Sequence, residues 1–163
     1  MRENRFWQRL STFLRRLPWI VSGMYLIWRV FQTKYSLGVV GIVFNAQGQV
    51  LLVEHVFHPK RPWGLPGGWV NRREDPAAAI QREFLEELQL HINPDVLLLA
   101  EFHKGNHLDL AYLCSTTGTI GQLSYELLGY RWHDLAELPR LYPFQQRAIA
   151  KAIDFRETYG IHE

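Results

Sequence analysis

The segment "DPAAAIQREFLEELQL", Asp75 to Leu90, constrains this chain most. Ile80, Phe84 and Leu88 recur every four residues, the stripe of a helix that packs one face on a core. Asp75 can cap the free N–H groups of the first turn, and Pro76 suits the first helical position. A neighbouring face carries Glu83, Glu86 and Glu87, with Arg82 the only cation in that turn. Carboxylates so spaced repel and weaken a helix. A solvated charged face is the plain reading. The sharper one is that the acids face a cleft and await a cation. Oxygen-only ligands suit a hard ion, Mg²⁺ where phosphate is the substrate, with Mn²⁺ a second candidate.

The rest of the chain reads as strands around this helix. "LGVVGIVF" from Leu37 and "QVLLVEHVF" are apolar, β-branched runs joined by the turn "NAQG". "HPKRPWGLPGG" reads as an irregular loop, because its prolines and glycines oppose both helix and ladder. "GWV" is a short extended piece, followed by the loop "NRRE". "DVLLLAEFH", "LDLAYLCST" and "LLGYRWHDL" are further strands, and "PFQQRAIAKAIDFRETY" is a closing amphipathic helix. The expected class is α/β with a mixed sheet. No internal repeat or low-complexity segment interrupts it.

The residues upstream of the helix decide between the two readings of its acids. Gly68, five residues, Glu74, seven residues, then Arg82-Glu83-Phe84-Leu85-Glu86-Glu87-Leu88-Gln89-Leu90 closely resembles the signature of the Nudix hydrolase family. The resemblance covers Gly68 to Leu90 and is looser outside it. It implies an α/β/α sandwich and hydrolysis of a nucleoside diphosphate linked to another group, X. Phosphoryl chemistry of this kind needs charge neutralisation and positioning more than covalent catalysis. By that resemblance Glu86 and Glu87 would hold metal ions, and Glu83 would bind metal or orient the attacking water. Arg82 would fix Glu83 or face the phosphate. Glu74 would be an auxiliary ligand and the Gly67 carbonyl a further one. Glu126, six residues before Trp132, is the expected acid from outside the box, unless it is a surface carboxylate. Glu101 and Asp109 are weaker alternatives.

The chain departs from the family pattern twice. Gln89 stands where glycine ends the helix, and Arg73 where glycine commonly precedes Glu74. Glutamine in the left-handed region would cost about 1 kcal/mol, or the chain would leave the helix differently. Both departures touch backbone shape rather than metal ligands.

Nothing in the box names X. Trp63 could stack on a base or pack in the loop. His55, His58, Lys60 and Arg61 could meet phosphates, and His103, Lys104, Asn106 and His107 form a second polar loop. No coenzyme A or NADH-type signature follows the box. The first reading is a pyrophosphatase for ADP-ribose or a nucleotide sugar. The second is a hydrolase of nucleoside triphosphates, oxidised ones included, releasing pyrophosphate. A non-catalytic nucleotide sensor is the alternative from another class.

The chain's 163 residues suit one domain with a real core. A formal charge of +2 gives no ground for a nucleic-acid partner. The single cysteine, Cys114, sits in an apolar run and reads as a core residue in a reducing cytoplasm. Residues 1–35 read as a separate helical arm ahead of a domain over 36–163. Arg2, Arg5, Arg9, Arg15 and Arg16 precede an apolar run from Leu17 to Trp28 that Pro18 interrupts, splitting the arm into two short helices. No small-residue cleavage site follows it. At about a dozen residues it falls short of the roughly 20 that span a bilayer. The arm either packs on the domain or a second subunit, as in a homodimer, or lies at a membrane surface with Trp7, Trp19, Tyr25 and Trp28 at the boundary.

Overall fold

The computed structural model describes residues 18–103 and 105–160. Arg2, Arg5, Trp7, Arg9, Arg15, Arg16 and Lys104 lie outside the described residues, and so does the segment expected to form the first arm helix. The described residues fall into two compact units, one ending at Lys34 and the other beginning at Tyr35. The first contains helix α1, Pro18–Phe31, which starts at its proline. Among the described residues no helix is long and apolar enough to cross a membrane.

The second unit holds two sheets and two long helices. β1 (Ser36–Ile42), β4 (Gly67–Trp69), β5 (Asn93–His103) and β6 (His107–Ser115) form a four-stranded sheet in the order β4-β1-β6-β5. β1 runs parallel to β6 with Val39 opposite Leu110, while its pairing with β4 and that of β5 with β6 are antiparallel. The sheet is therefore mixed. β2 (Val50–His55), β3 (Trp63–Gly64) and β7 (Leu127–His133) form a second, antiparallel sheet in the order β3-β2-β7. A bridge between Phe44 and Val50 links the two. There Asn45 Oδ1 accepts from the N–H groups of Gln47 and Gln49, which holds the turn closed.

Strand parity places the helices. Val39, Leu110 and Cys114 meet Ile80, Phe84 and Leu88 of α2 (Pro76–Leu88) in one core. Their neighbours Ile42, Ala111 and Leu113 meet Phe144, Ala148 and Ile149 of α3 (Pro143–Tyr159) in another. Successive strand residues face opposite sides, so both faces of the sheet are covered and the layers run α/β/α. Ile80, Phe84 and Leu88 are fully buried, each contributing about 2 kcal/mol of transfer energy.

The run "HPKRPWGLPGG" departs from the sequence reading. It contains one short strand, Trp63–Gly64 paired with Val53 and Glu54, and the first residue of another, Gly67–Trp69 paired with Val40, Val39 and Gly38, whose remainder is the extended piece expected at "GWV". Pro62 and Pro66 fall outside the paired positions, so neither takes a ladder donor away. Partners distant in sequence impose what local composition opposes.

Candidate active site

Two glycines bring β4 against α2. Gly67 and Gly68 pair with Val40 and Val39 of β1. The Gly67 N–H donates to Glu87 Oε2 at 3.2 Å. A Cβ on Gly68 would stand 2.5 Å from the Glu83 carboxyl group. A side chain at Gly68 would have to push that carboxylate out of its place, so glycine is what lets strand and carboxylates approach so closely.

Glu87 is 6% exposed, a buried acid. Burial pushes its carboxyl up to about 8, opposed by the Gly67 N–H and reinforced by repulsion from Glu83, Glu126 and Glu86. Burial also raises Glu83, against the pull of Arg82. Glu86 is the open member of the group, its side chain 60% exposed.

Arg82 is the hub of this face. Its Nε and Nη2 reach Glu74 at 2.8 and 3.0 Å, its Nη1 reaches Glu83 at 2.8 Å and Glu86 at 3.2 Å, and Nη2 also donates to the Trp69 carbonyl at 3.0 Å. Glu74 accepts further from the Asn71 N–H at 2.7 Å. These hydrogen bonds, Arg82 first, hold the Glu74 carboxyl down to about 2. Glu74 is thus occupied by Arg82 and Asn71. It is absent from the lining of the cavity that the other box acids face.

That cavity has a volume of about 770 Å³. Gly67, Gly68, Glu83, Glu86, Glu87 and Glu126 line it together. Glu126 reaches it from the loop before β7, where its carbonyl accepts from the Val56 N–H at 2.9 Å. His55, Arg61 and Trp63 also line the cavity, while Lys60 is exposed and does not. His55 is held down to about 4 by burial first and by His58 second, with Glu126 pulling the other way. Arg61 lies over the Tyr142 ring at 4.8 Å, and its Nη1 donates to the Leu141 carbonyl at 3.4 Å. The Trp63 ring meets His133 edge-on at 5.2 Å, with Arg131 at 5.7 Å from its centre. Trp63 therefore both packs and faces the cavity.

The second polar loop divides. His107 and Asp109 line the cavity, whereas His103 and Asn106 do not. His103 Nε2 and His107 Nε2 flank the Asp109 carboxylate at 3.1 and 2.8 Å. Glu101 pairs with Arg147 instead. Phe57, Trp69, Tyr125 and Tyr142 also line the cavity. Sequence reasoning missed them. Three lie on separate loops, and no local pattern marks them as neighbours. Trp69 carried the one available signal, since it directly follows the glycine pair.

Among the described residues no group of three or more His, Cys, Asp or Glu side chains is arranged to hold a metal ion. Arg82 engages Glu83 and Glu86 and supplies the positive charge they need. The donor set nevertheless suits a hard cation. It is all oxygen, it faces one cavity, and it includes a buried carboxyl group with no cationic partner of its own among the described residues.

The two breaks in the family pattern share one backbone state. Arg73 has φ 67° and Gln89 φ 50°, both left-handed. The chain leaves α2 as it would with glycine, and the Gln89 side chain finds a use there. Its Oε1 accepts from the Gln122 N–H at 3.2 Å.

Known proteins agree with this architecture. A human 8-oxo-dGDP phosphatase, NUDT18, is 29% identical over 126 residues, which cover 74% of this chain and 38% of the human one. An RNA pyrophosphohydrolase of Psychrobacter cryohalolentis is 43% identical over 53 residues, 32% of this chain and 30% of that one. The chain thus spans well under half the length of these curated relatives. The crystal structure of an ADP-ribose pyrophosphatase from Streptococcus suis matches with a TM-score of 0.63 at 23% identity, covering 77% of this chain and 92% of that one. At that identity the match shows the fold. A family model described as the NUDIX domain matches residues 34–152, and this chain belongs to the Nudix hydrolase family.

Proposed function

We propose that this chain hydrolyses the pyrophosphate linkage of a nucleoside diphosphate joined to a further group, with a divalent cation as cofactor. One observation carries the reading: Glu83, Glu86, Glu87 and Glu126 meet the Gly67–Gly68 pair on a single cavity that also offers His55 and Arg61. Glu83, Glu86, Glu87, Glu126 and the Gly67 carbonyl are the groups that would hold Mg²⁺ or Mn²⁺. The bound cation supplies neutralisation of the phosphate charge.

The chain's own residues do the positioning. Arg82 fixes the direction of Glu83 and is itself fixed by Glu74. Glu83, raised by burial, can take a proton from an attacking water. Arg61, His58 and His55 line the cavity where phosphate oxygens would lie. His55, neutral at pH 7, serves as a hydrogen-bonding group and not as a cation. Trp63, Trp69, Tyr125 and Tyr142 offer ring faces for a base or sugar.

The room in the cavity favours a two-part substrate such as ADP-ribose or a nucleotide sugar. A second reading, hydrolysis of oxidised nucleotides, is favoured by the likeness to the human 8-oxo-dGDP phosphatase. The deciding experiment is a nucleotide panel with Mg²⁺ and product identification. A nucleoside monophosphate plus a sugar phosphate supports the first reading. A monophosphate plus pyrophosphate from a triphosphate, or plus orthophosphate from a diphosphate, supports the second. Tight binding of one nucleotide with no cleavage of any would replace both with a sensor. Cytoplasmic placement is part of the proposal, and it rests on the buried Cys114 thiol as a sign of a reducing compartment.

A further inference from the structure

Helix α1 is apolar around most of its circumference. Trp19, Met24, Leu26, Ile27, Trp28, Val30 and Phe31 are each more than half exposed. At about 100° per residue, Ser22, Tyr25 and Arg29 fall in one narrow stripe. The apolar side chains occupy the remaining arc, about 220° wide. Nothing within its own unit covers them among the described residues. A helix that packs on a folded partner needs an apolar stripe of little more than about 100°. A protein groove would cover one side of this helix and leave the other in water.

The charges point the same way. Residues 1–35 carry seven basic side chains and one acidic one, whereas the remainder carries eleven basic and fifteen acidic. The arm is therefore the cationic part of a chain whose domain is anionic. Arg15 and Arg16 stand just before the helix in sequence and Arg29 in its last turn. Trp19, Tyr25 and Trp28 have the ring type that settles between headgroups and hydrocarbon. With 14 residues the helix is about 21 Å long, too short for a hydrocarbon layer of about 30 Å.

We infer that α1 is an interfacial anchor that seats this chain on a lipid surface bearing anionic headgroups. Its wide apolar arc enters the acyl boundary, and the stripe of Ser22, Tyr25 and Arg29 faces the headgroups. The inference concerns the arm alone and stands whatever the domain hydrolyses.

Flotation of the full chain with vesicles tests it, using phosphatidylcholine alone and phosphatidylcholine mixed with phosphatidylglycerol. The full chain is expected to float with the mixed vesicles and several-fold less with the neutral ones. Ile27→Asp places a charge mid-arc and is expected to cut that binding at least about tenfold, while Ser22→Asp on the polar stripe retains most of it. Thermal melting of each variant confirms that the domain stays folded. A chain that stays in solution at both compositions overturns the inference, as does an Ile27→Asp variant that floats like the parent. Equal capture by neutral vesicles overturns the anionic preference. A dimer that Ile27→Asp dissociates, with no vesicle binding, makes the arm a subunit contact and overturns the anchor.

Discussion

Arg82 grips Glu74 with two nitrogens, Nε to Oε1 at 2.8 Å and Nη2 to Oε2 at 3.0 Å, across eight residues of sequence. A bidentate pair of this kind fixes orientation as well as charge. It leaves Glu74 as the residue that aims Arg82, and Arg82 as the one that aims Glu83. Glu74→Gln keeps the shape and loses the charge. The expected result is a roughly tenfold loss of turnover with metal affinity changed little. Metal titration of the rate checks it; a large rise in the metal concentration needed would make Glu74 a ligand after all.

Glu86 and Glu87 should respond differently. Their carboxylates face the cavity directly, and among the described residues the Glu87 carboxyl group accepts only from the Gly67 N–H. Glu86→Gln or Glu87→Gln is expected to lower turnover by about 10² or more with the fold intact. Glu87→Gln should even melt higher without metal at pH 7, because the parent must take up a proton on a buried carboxyl that ionises freely in the unfolded chain. Turnover within a few-fold of the parent in either variant would remove that residue from the cation site.

The two glycines separate fold from chemistry. A Cβ on Gly67 would stand 2.1 Å from the Val39 carbonyl oxygen, at φ 149°. Backbone cannot yield there, so Gly67→Ala should cost about 3 kcal/mol or more of stability. The atoms nearest a Cβ on Gly68 all belong to the Glu83 carboxylate, which can swing aside. Gly68→Ala should therefore melt near the parent yet lose most of its activity. Melting curves alongside rates distinguish the pair, and a Gly68→Ala enzyme of normal rate would show that Glu83 need not sit where it does.

The helix and its acids were legible because their information is local. Asp75, Pro76, the four-residue stripe and the three glutamates all lie within one short stretch. Cys114 was legible for the same reason. The strand positions Gly64 and Gly67 inside "HPKRPWGLPGG" were not, since Gly64 owes its conformation to Val53 and Gly67 owes its own to Val40. Nor was the ring of Phe57, Tyr125 and Tyr142 legible, for these side chains become neighbours only when loops far apart in sequence converge on the cavity. The pairing of Glu101 with Arg147, 46 positions apart in sequence, is another such case.

Gln89 and Arg73 share a left-handed backbone but should not respond alike to glycine. Relief of the left-handed strain is worth about 1 kcal/mol, less the entropy glycine adds to the unfolded chain. Gln89 also holds the Gln122 N–H, a bond worth about 1 kcal/mol. Arg73→Gly is therefore expected to raise stability by about 0.5 kcal/mol and Gln89→Gly to leave it level or lower it. Denaturant midpoints decide the order, and the reverse order would mean that the Gln89 side chain contributes nothing to its loop.

His55 gives the fold a dependence on acid. Burial holds its imidazole down to about 4 from an ordinary 6.5. Above pH 6.5 the ring is neutral in both folded and unfolded chains, and the histidine adds no pH dependence. Between 6.5 and 4 the unfolded chain takes up the proton while the folded one does not, so stability falls with pH. Below about 4 both forms are protonated and the loss is complete. The loss is at most about 3 kcal/mol and nearer 1–2 kcal/mol once solvent reaching a half-buried ring is allowed for. His55→Gln has no proton to take up. Its melting temperature should decline less than the parent's between pH 6.5 and pH 4, whatever their difference at neutral pH. Parallel declines would show that the ring is protonated in the folded protein as easily as in the unfolded one, and would return His55 to the cavity as a cation.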